Sequence, residues 1–191
     1  MASKQKPKKL RDVYQIKISL KGIRPPIWRR LEVFSDTTLE KLHLIFQIAM
    51  GWDNYHLHQF TIGGEEYGQP DPDYDSAVND ERKVKLYQVV PRENFKFSYE
   101  YDFGDGWDHT VLVEKILPEE KGKCYPNCSK GKRTCPPEDV GGVWGYSDFL
   151  ETIKDVNHSD HEDMLEWVGG GFDPEEFDMK YINERLKKIV I

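Results

Sequence analysis

The amino-acid sequence predicts an α+β fold with a mixed β-sheet, and three observations carry that prediction. Tyr14, Ile16, Ile18 and Leu20 alternate with polar residues, the period-two pattern of a strand with one buried face. Leu39, Leu42, Ile45, Phe46 and Ala49 then recur at helical spacing. Further on, Phe95, Phe97, Tyr99, Tyr101 and Phe103 alternate with Lys96, Ser98, Glu100 and Asp102, the strongest strand signal in the chain.

Residues 1–11, MASKQKPKKLR, carry five Lys/Arg and no acid, and read as a disordered basic leader. Contact with nucleic acid is the other reading of such an arm. Residues 12–191 read as a single domain: a sheet-plus-helix core over 12–117, a Cys/Gly/Pro-rich ordered loop over 118–145 and a helical annex over 146–191.

After the first strand, GIRPP at 22–26 makes a turn, because prolines cannot donate to a sheet ladder. IWRRLEVF returns as the second strand of a hairpin. Thr37-x-x-Glu40 forms a capping box at the start of the helix, and Gly51 stands where its C-terminal cap belongs. Leu57–Ile62 is a short strand, residues 63–81 are loop, and Val84–Val90 is a further strand. Asp105-Gly106 turns the aromatic strand into a return strand through Val111 and Val113. Hairpin, helix and then further strands is the order of a β-grasp-like start. In the second part, a short helix runs over Tyr146–Ile153. A second capping box, Ser159-x-x-Glu162, opens EDMLEWV, and Gly169–Gly171 stop it. Asp173-Pro174 opens a C-terminal helix that ends at Leu186.

Composition narrows the function classes. Lys and Arg number 27 against 34 Asp and Glu, a net charge of −7, so the chain lacks the broad basic footprint of a dedicated duplex binder. No apolar run approaches the ~20 residues that span a bilayer, and the N-terminus lacks the apolar core of a secretory signal. A cytoplasmic protein with no membrane partner is therefore expected. Three cysteines, Cys124, Cys128 and Cys135, are an odd number in an unexported chain, which argues against a disulfide scaffold.

Several stretches invite chemistry. Asp102, Asp105, Asp108 and His109 crowd YDFGDGWDH, where carboxylates and an imidazole could bind a divalent ion or act as acid and base. The plain alternative is solvated turn acids. A kinase-type DFG is excluded, since the Gly-rich and H-R-D loops that must precede it are missing. DPDYDSAVNDER at 71–82 fails as a calcium loop: Ser76 replaces the glycine and Arg82 the bidentate glutamate. Zinc is the candidate cofactor at the cysteines, but structural zinc needs four ligands. His109, His158 or His161 would have to complete the set, and otherwise the cysteines pack as small hydrophobes. GGGF at 169–172 follows a helix and lacks the Lys-Ser/Thr of a phosphate loop. Tyr99 and Tyr101 either stack bases on an open sheet or belong to the core. Arg24, Arg29 and Arg30 offer a small cationic patch for nucleic acid.

Five stretches, in order, resemble the plasmid pRiA4b ORF-3-like family: YQIKISLKGIRPPIWRRLEV, MGW with HLHQF after it, YDFGDGWDHTV, CSKGKRTCPPEDVGGVWGYSDFL and HEDMLEWVGGGFDPEEFD. The resemblance runs from Tyr14 to the last helix and implies a mixed α+β domain, found on plasmids, mobile elements and prokaryotic chromosomes, with no activity to carry over. The shared pattern matches Gly104-Asp105-Gly106-Trp107 with His109, Cys128 and Cys135, Pro136-Pro137-Glu138-Asp139, Gly141-Gly142 and Trp144-Gly145-Tyr146. Cys124 falls outside it, which leaves Cys128 and Cys135 to join His109 or His161 at a metal.

The leading functional expectation is a non-enzymatic cytoplasmic binding or accessory module, with Trp107, Glu138, Asp139, Trp144 and Tyr146 as its binding surface. The alternative is a metal-dependent hydrolase or nuclease-like enzyme, with Asp102, Asp105 and His109 as catalytic candidates and Cys128, Cys135, His109 and His161 as metal ligands. A nucleic-acid-binding protein is the third.

Overall fold

The computed structural model describes residues 11–70 and 78–189. Among them it has one sheet of eight strands and five α-helices, a mixed α+β fold. The strands are β1 (Asp12–Leu20), β2 (Trp28–Phe34), β3 (His58–Ile62), β4 (Glu65–Gly68), β5 (Asn79–Asp80), β6 (Lys96–Tyr101), β7 (Trp107–Pro118) and β8 (Asn127–Lys132). The helices are α1 (Leu39–Met50), α2 (Leu86–Val89), α3 (Gly142–Lys154), α4 (His161–Trp167) and α5 (Met179–Leu186). The sheet order is β5-β4-β3-β6-β7-β1-β2-β8, antiparallel except for β4 with β5.

The alternation of β1 does what its pattern predicts: Ile16, Ile18 and Leu20 are buried and pair across to β2 and β7. Phe97, Tyr99 and Tyr101 of β6 are buried too, so this aromatic row is core and not a base-stacking platform. Helix α1 covers that face of the sheet, with Phe46 5.2 Å from Tyr99 and 6.2 Å from Phe60 between ring centroids. The β-grasp-like start is not confirmed. Hairpin, helix and strand follow one another along the chain, but β6 and β7 lie between β1 and β3 in the sheet.

Local readings differ at several points. The cap of α1 is Thr38, whose hydroxyl accepts the Lys41 N–H, because its neighbour Thr37 is turned into the core. Val84–Val90 is not a strand. Its first part lies against the start of α1, where Leu39 N–H reaches the Val84 carbonyl, and the rest winds into α2. The loop over 118–145 contains the edge strand β8, and α3 begins at Gly142. The Ser159–Glu162 capping box does not form, since the N-cap of α4 is Asp160 with no side-chain bond, and the last helix opens not at Asp173 but at Asp178, which accepts the Tyr181 N–H. At the outer edge of β8, one residue of α5 bonds the strand's backbone. Asn183 accepts the Cys128 N–H at 2.7 Å and donates to the Cys128 carbonyl at 2.9 Å. The basic leader, except Arg11, and Asp71, Asp73 and Asp75 lie outside the described residues. Among the described residues, no helix is long and apolar enough to cross a membrane.

Candidate functional site

Three connections meet at one end of the sheet: residues 51–57 after α1, residues 102–106 between β6 and β7, and residues 133–141 before α3. Aromatic packing locks them together. Trp52 stacks on Tyr101 with centroids 5.0 Å apart, and its indole N–H donates to the Pro136 carbonyl at 2.9 Å. The Tyr101 hydroxyl accepts the backbone N–H groups of Tyr55 and His56 and donates to Glu138. Glu138 also accepts the Asp53 N–H at 2.9 Å. Burial, followed by the neighbouring Glu138 carboxylate, pushes the Tyr101 phenol well above its ordinary range, so it stays a donor.

Two glycines let the chain turn into α3 this tightly against the β6–β7 turn and itself. A Cβ on Gly142 would overlap the Asp105 carbonyl oxygen, and one on Gly145 the Val140 carbonyl oxygen. Asn54, Asp102 and Asp139 all hold a positive φ near 60° (63°, 58° and 60°), the left-handed region that Asn and Asp tolerate best among non-glycine residues.

The three connections bring His56, Asp102 and Asp139 together. His56 Nε2 lies 3.2 Å from Asp139 Oδ1 and 3.6 Å from Asp102 Oδ2. All three donor atoms are within 4.8 Å of one another, and among the described residues no other trio of His, Cys, Asp or Glu is grouped this way. Asp102 Oδ1 is occupied by the N–H groups of Gly104 and Asp105, at 2.9 and 3.4 Å, which fixes the carboxylate and leaves Oδ2 toward the histidine. His56 Nε2 is shut off from solvent and has no hydrogen bond in acceptable geometry.

Beside this trio is a cavity of about 360 Å³, lined by Asn54, Tyr55, His56, His58 and Phe103 among others. Behind it runs a buried polar chain. Gln47 Nε2 donates to the Tyr99 hydroxyl at 3.0 Å, and that hydroxyl lies 2.7 Å from His43 Nδ1. His43 Nε2 in turn lies 2.6 Å from Asn54 Oδ1 in the cavity wall. Burial, reinforced by the neighbouring His58, pushes His43 down to about 3, so it is neutral and Tyr99 donates to its Nδ1. His58 stacks on His43 with centroids 3.4 Å apart and bonds the fully buried Glu81 carboxylate at 2.8 Å.

The residues nominated from sequence divide sharply. Asp102 and Asp139 join the trio, while Glu138 positions it from behind. Asp105 uses its carboxylate to accept the Gly141 N–H at 3.2 Å. His109 is fully buried, faces the Tyr99 carbonyl, and is pushed by burial down to about 3. The expected metal set does not assemble. Cys128 Sγ faces the Lys130 carbonyl, Cys135 Sγ lies against Met50 Sδ and Arg29, and His161 Nδ1 faces the Thr152 carbonyl. All three cysteines are free thiols, and burial pushes Cys128 up to about 11 and raises Cys135. Trp107 and Tyr146 are buried, so they support the surface from beneath and do not present it. Trp144 is 83% exposed and lines a separate cleft of about 500 Å³ with Arg24. The cationic patch largely dissolves. Arg29 is buried, holding the carbonyls of Trp28, Ala49 and Lys132, and Arg30 is paired bidentately with Glu114 at 2.5 and 2.9 Å.

His56, His43 and Glu81 are additions that pattern reading missed. His43 and Gln47 stand four apart on the apolar face of α1, a polar pair that a helical projection exposes. His56-Leu57-His58 signals nothing by itself, because the carboxylates it meets come from two distant loops.

Comparison with known proteins agrees with this architecture. The chain is 39% identical over 158 residues to the uncharacterized protein y4hQ of Sinorhizobium fredii (strain NBRC 101917 / NGR234), covering 82% of this chain and 81% of that one. It is similar to a protein of unknown function from Methanosarcina mazei Go1, MM3350, whose crystal structure matches with a TM-score of 0.80 and 43% identity over 89% of this chain and 97% of that one. The family model described as plasmid pRiA4b ORF-3-like protein matches residues 12–181, nearly all of the fold, and the chain belongs to that family.

Proposed function

We propose that the chain is a non-enzymatic cytoplasmic binding module, and that it takes a small ligand at the loop end of the sheet. The observation that carries this reading is the cavity between the connection after α1, the end of β4 and the β6–β7 turn. Its wall combines exposed apolar surface, Tyr55 (79%), Leu57 (63%) and Phe103 (51%), with a few fixed polar groups. Concave, mostly apolar sites with a few placed polar groups are the usual form of a ligand pocket. The chemistry fits a ligand with an aromatic or aliphatic body and one hydrogen-bonding or anionic head directed at His56 and Asn54. Binding is favoured over catalysis because most of the nominated acid–base and nucleophilic groups are occupied or buried, Asp105 in a turn and His109 and two thiols in the core, which leaves only Asp102 Oδ2 toward His56.

A fragment screen by amide chemical-shift mapping tests this. Expected hits perturb residues 54–59 and 102–105 and are lost in Tyr55→Ala with Phe103→Ala, two exposed side chains whose removal spares the core. Hits confined to other surfaces, or none at all, would count against it. The grouping of His56, Asp102 and Asp139 favours a metal-dependent hydrolase as the second reading. Metal-stimulated turnover of a generic phosphodiester, abolished by Asp139→Asn, would replace the first reading with it.

A further inference from the structure

We infer that His56, Asp102 and Asp139 form a binding site for a divalent cation of the zinc class, at a place distinct from the cysteines. The inference shares its location with the ligand-binding reading above but does not need the cavity to be filled.

Two features of the trio point to a cation. The first is spacing. Ligand atoms about 2.0–2.2 Å from a tetrahedral zinc are separated by roughly 3.3–3.6 Å along the tetrahedron's edges. The two separations from His56 Nε2, 3.2 and 3.6 Å, fall at that edge length. The second is the state of the imidazole. Nε2 is shut off from solvent and makes no hydrogen bond, although carboxylate oxygens lie 3.2 and 3.6 Å away and the His56 side chain is 27% exposed. A buried polar atom left this way costs about 1–3 kcal/mol, and a cation in that space would satisfy all three donors at once.

The surroundings are built to hold these ligands. The Asp102 side chain is only 10% exposed and is clamped through Oδ1 by two backbone N–H groups. The His56 ring stands edge-on to Tyr101 with centroids 5.8 Å apart, and its backbone N–H is tied to the Tyr101 hydroxyl. Ligand orientation by such outer partners is characteristic of protein metal sites. One imidazole nitrogen and two carboxylates suit Zn²⁺ or Mn²⁺ better than Mg²⁺, which prefers oxygen and water. Three protein ligands leave at least one position open. Because His56 also lines the cavity, the anionic head of a ligand seated there would be the cation's neighbour.

The test uses the full chain, stripped with chelator and dialysed, titrated with Zn²⁺, Mn²⁺ and Mg²⁺ by calorimetry and with Co²⁺ by visible absorption. The expected result is one equivalent of Zn²⁺ bound more tightly than Mg²⁺, and a Co²⁺ spectrum without a thiolate charge-transfer band. Asp139→Asn, at an exposed side chain, and His56→Gln should each weaken Zn²⁺ by no less than about tenfold, the lower end of what losing even an outer-shell partner costs. Cys124→Ser should leave binding unchanged. Absence of Zn²⁺ binding, unchanged affinity in both site variants, or a thiolate band would each overturn the inference. Repeating the fragment screen without metal separates the two proposals: hits at residues 54–59 that survive leave the binding reading standing while the cation site falls.

Discussion

Acid should destabilise this protein through two buried imidazoles before it touches most carboxylates. His43 and His109 are both held neutral, pushed down to about 3 by burial, against about 6.5 in an unfolded chain. Between those values the unfolded state takes up a proton at each site that the folded state refuses. Stability therefore rises with pH through that window, by about 1.4 kcal/mol per pH unit for each imidazole. Acidifying from about pH 7.5 to about pH 5 crosses about 1.5 units of it, removing about 2 kcal/mol per histidine and about 4 kcal/mol together. Glu114, held low by its hydrogen bond to Arg30, stays ionised over this range and does not offset the loss. Folded domains have only about 5–15 kcal/mol to lose. With a urea slope of about 2 kcal/mol/M, the unfolding midpoint followed by tryptophan fluorescence should fall by about 2 M. His109→Leu, which removes one of the two sites, should show about half the acid loss. A midpoint that holds steady from pH 7.5 to 5, or rises in acid, would refute the assignment of both imidazoles as neutral buried groups.

A glycine in the first turn of α3 and the cysteines make two further predictions. Gly145→Ala forces a Cβ onto the Val140 carbonyl and should cost at least about 3 kcal/mol, whereas Gly169→Ala, in open space at φ +86°, should cost only about 1 kcal/mol; equal melting temperatures would defeat the distinction. In native protein one of the three thiols, exposed Cys124, should react rapidly with an aromatic disulfide reagent, with Cys128 and Cys135 following only in denaturant. Rapid reaction of all three without denaturant would contradict their burial.

How much of this was legible from sequence depended on whether burial left a periodic trace. In β1 and β6 one face is buried and the other is not, so alternation wrote the strands plainly. In β8, NCSKGK buries little besides Cys128, and pairing with β2 through backbone groups leaves no hydrophobic rhythm to read. Val84–Val90 misled because a short apolar run has no period that separates a strand from a turn of helix. At Thr37 and Thr38 two hydroxyls could serve as cap, and tertiary burial of the first decided for the second. The site was half visible. Asp102 and Asp139 stand out in acidic, glycine-rich loops, but their meeting with His56 is a property of the sheet order, which places the α1–β3 connection beside the β6–β7 hairpin. The cysteines drew attention by their closeness in sequence, and the fold spends them on separate packing contacts.

The exchange between Asn183 and Cys128 bears on the exposed margin of the sheet. An outermost strand offers a ladder of free amide and carbonyl groups to any other chain, and natural proteins blunt such edges to avoid sheet-to-sheet association. Here one carboxamide does what a neighbouring strand would do, giving an acceptor to the N–H and a donor to the carbonyl of the same residue. Aspartate at that position could supply only the acceptor, and leucine neither. At the opposite margin the problem is met by brevity, since β5 is two residues long. The last helix thereby closes this part of the edge with a side chain, where a further strand would have done it with backbone.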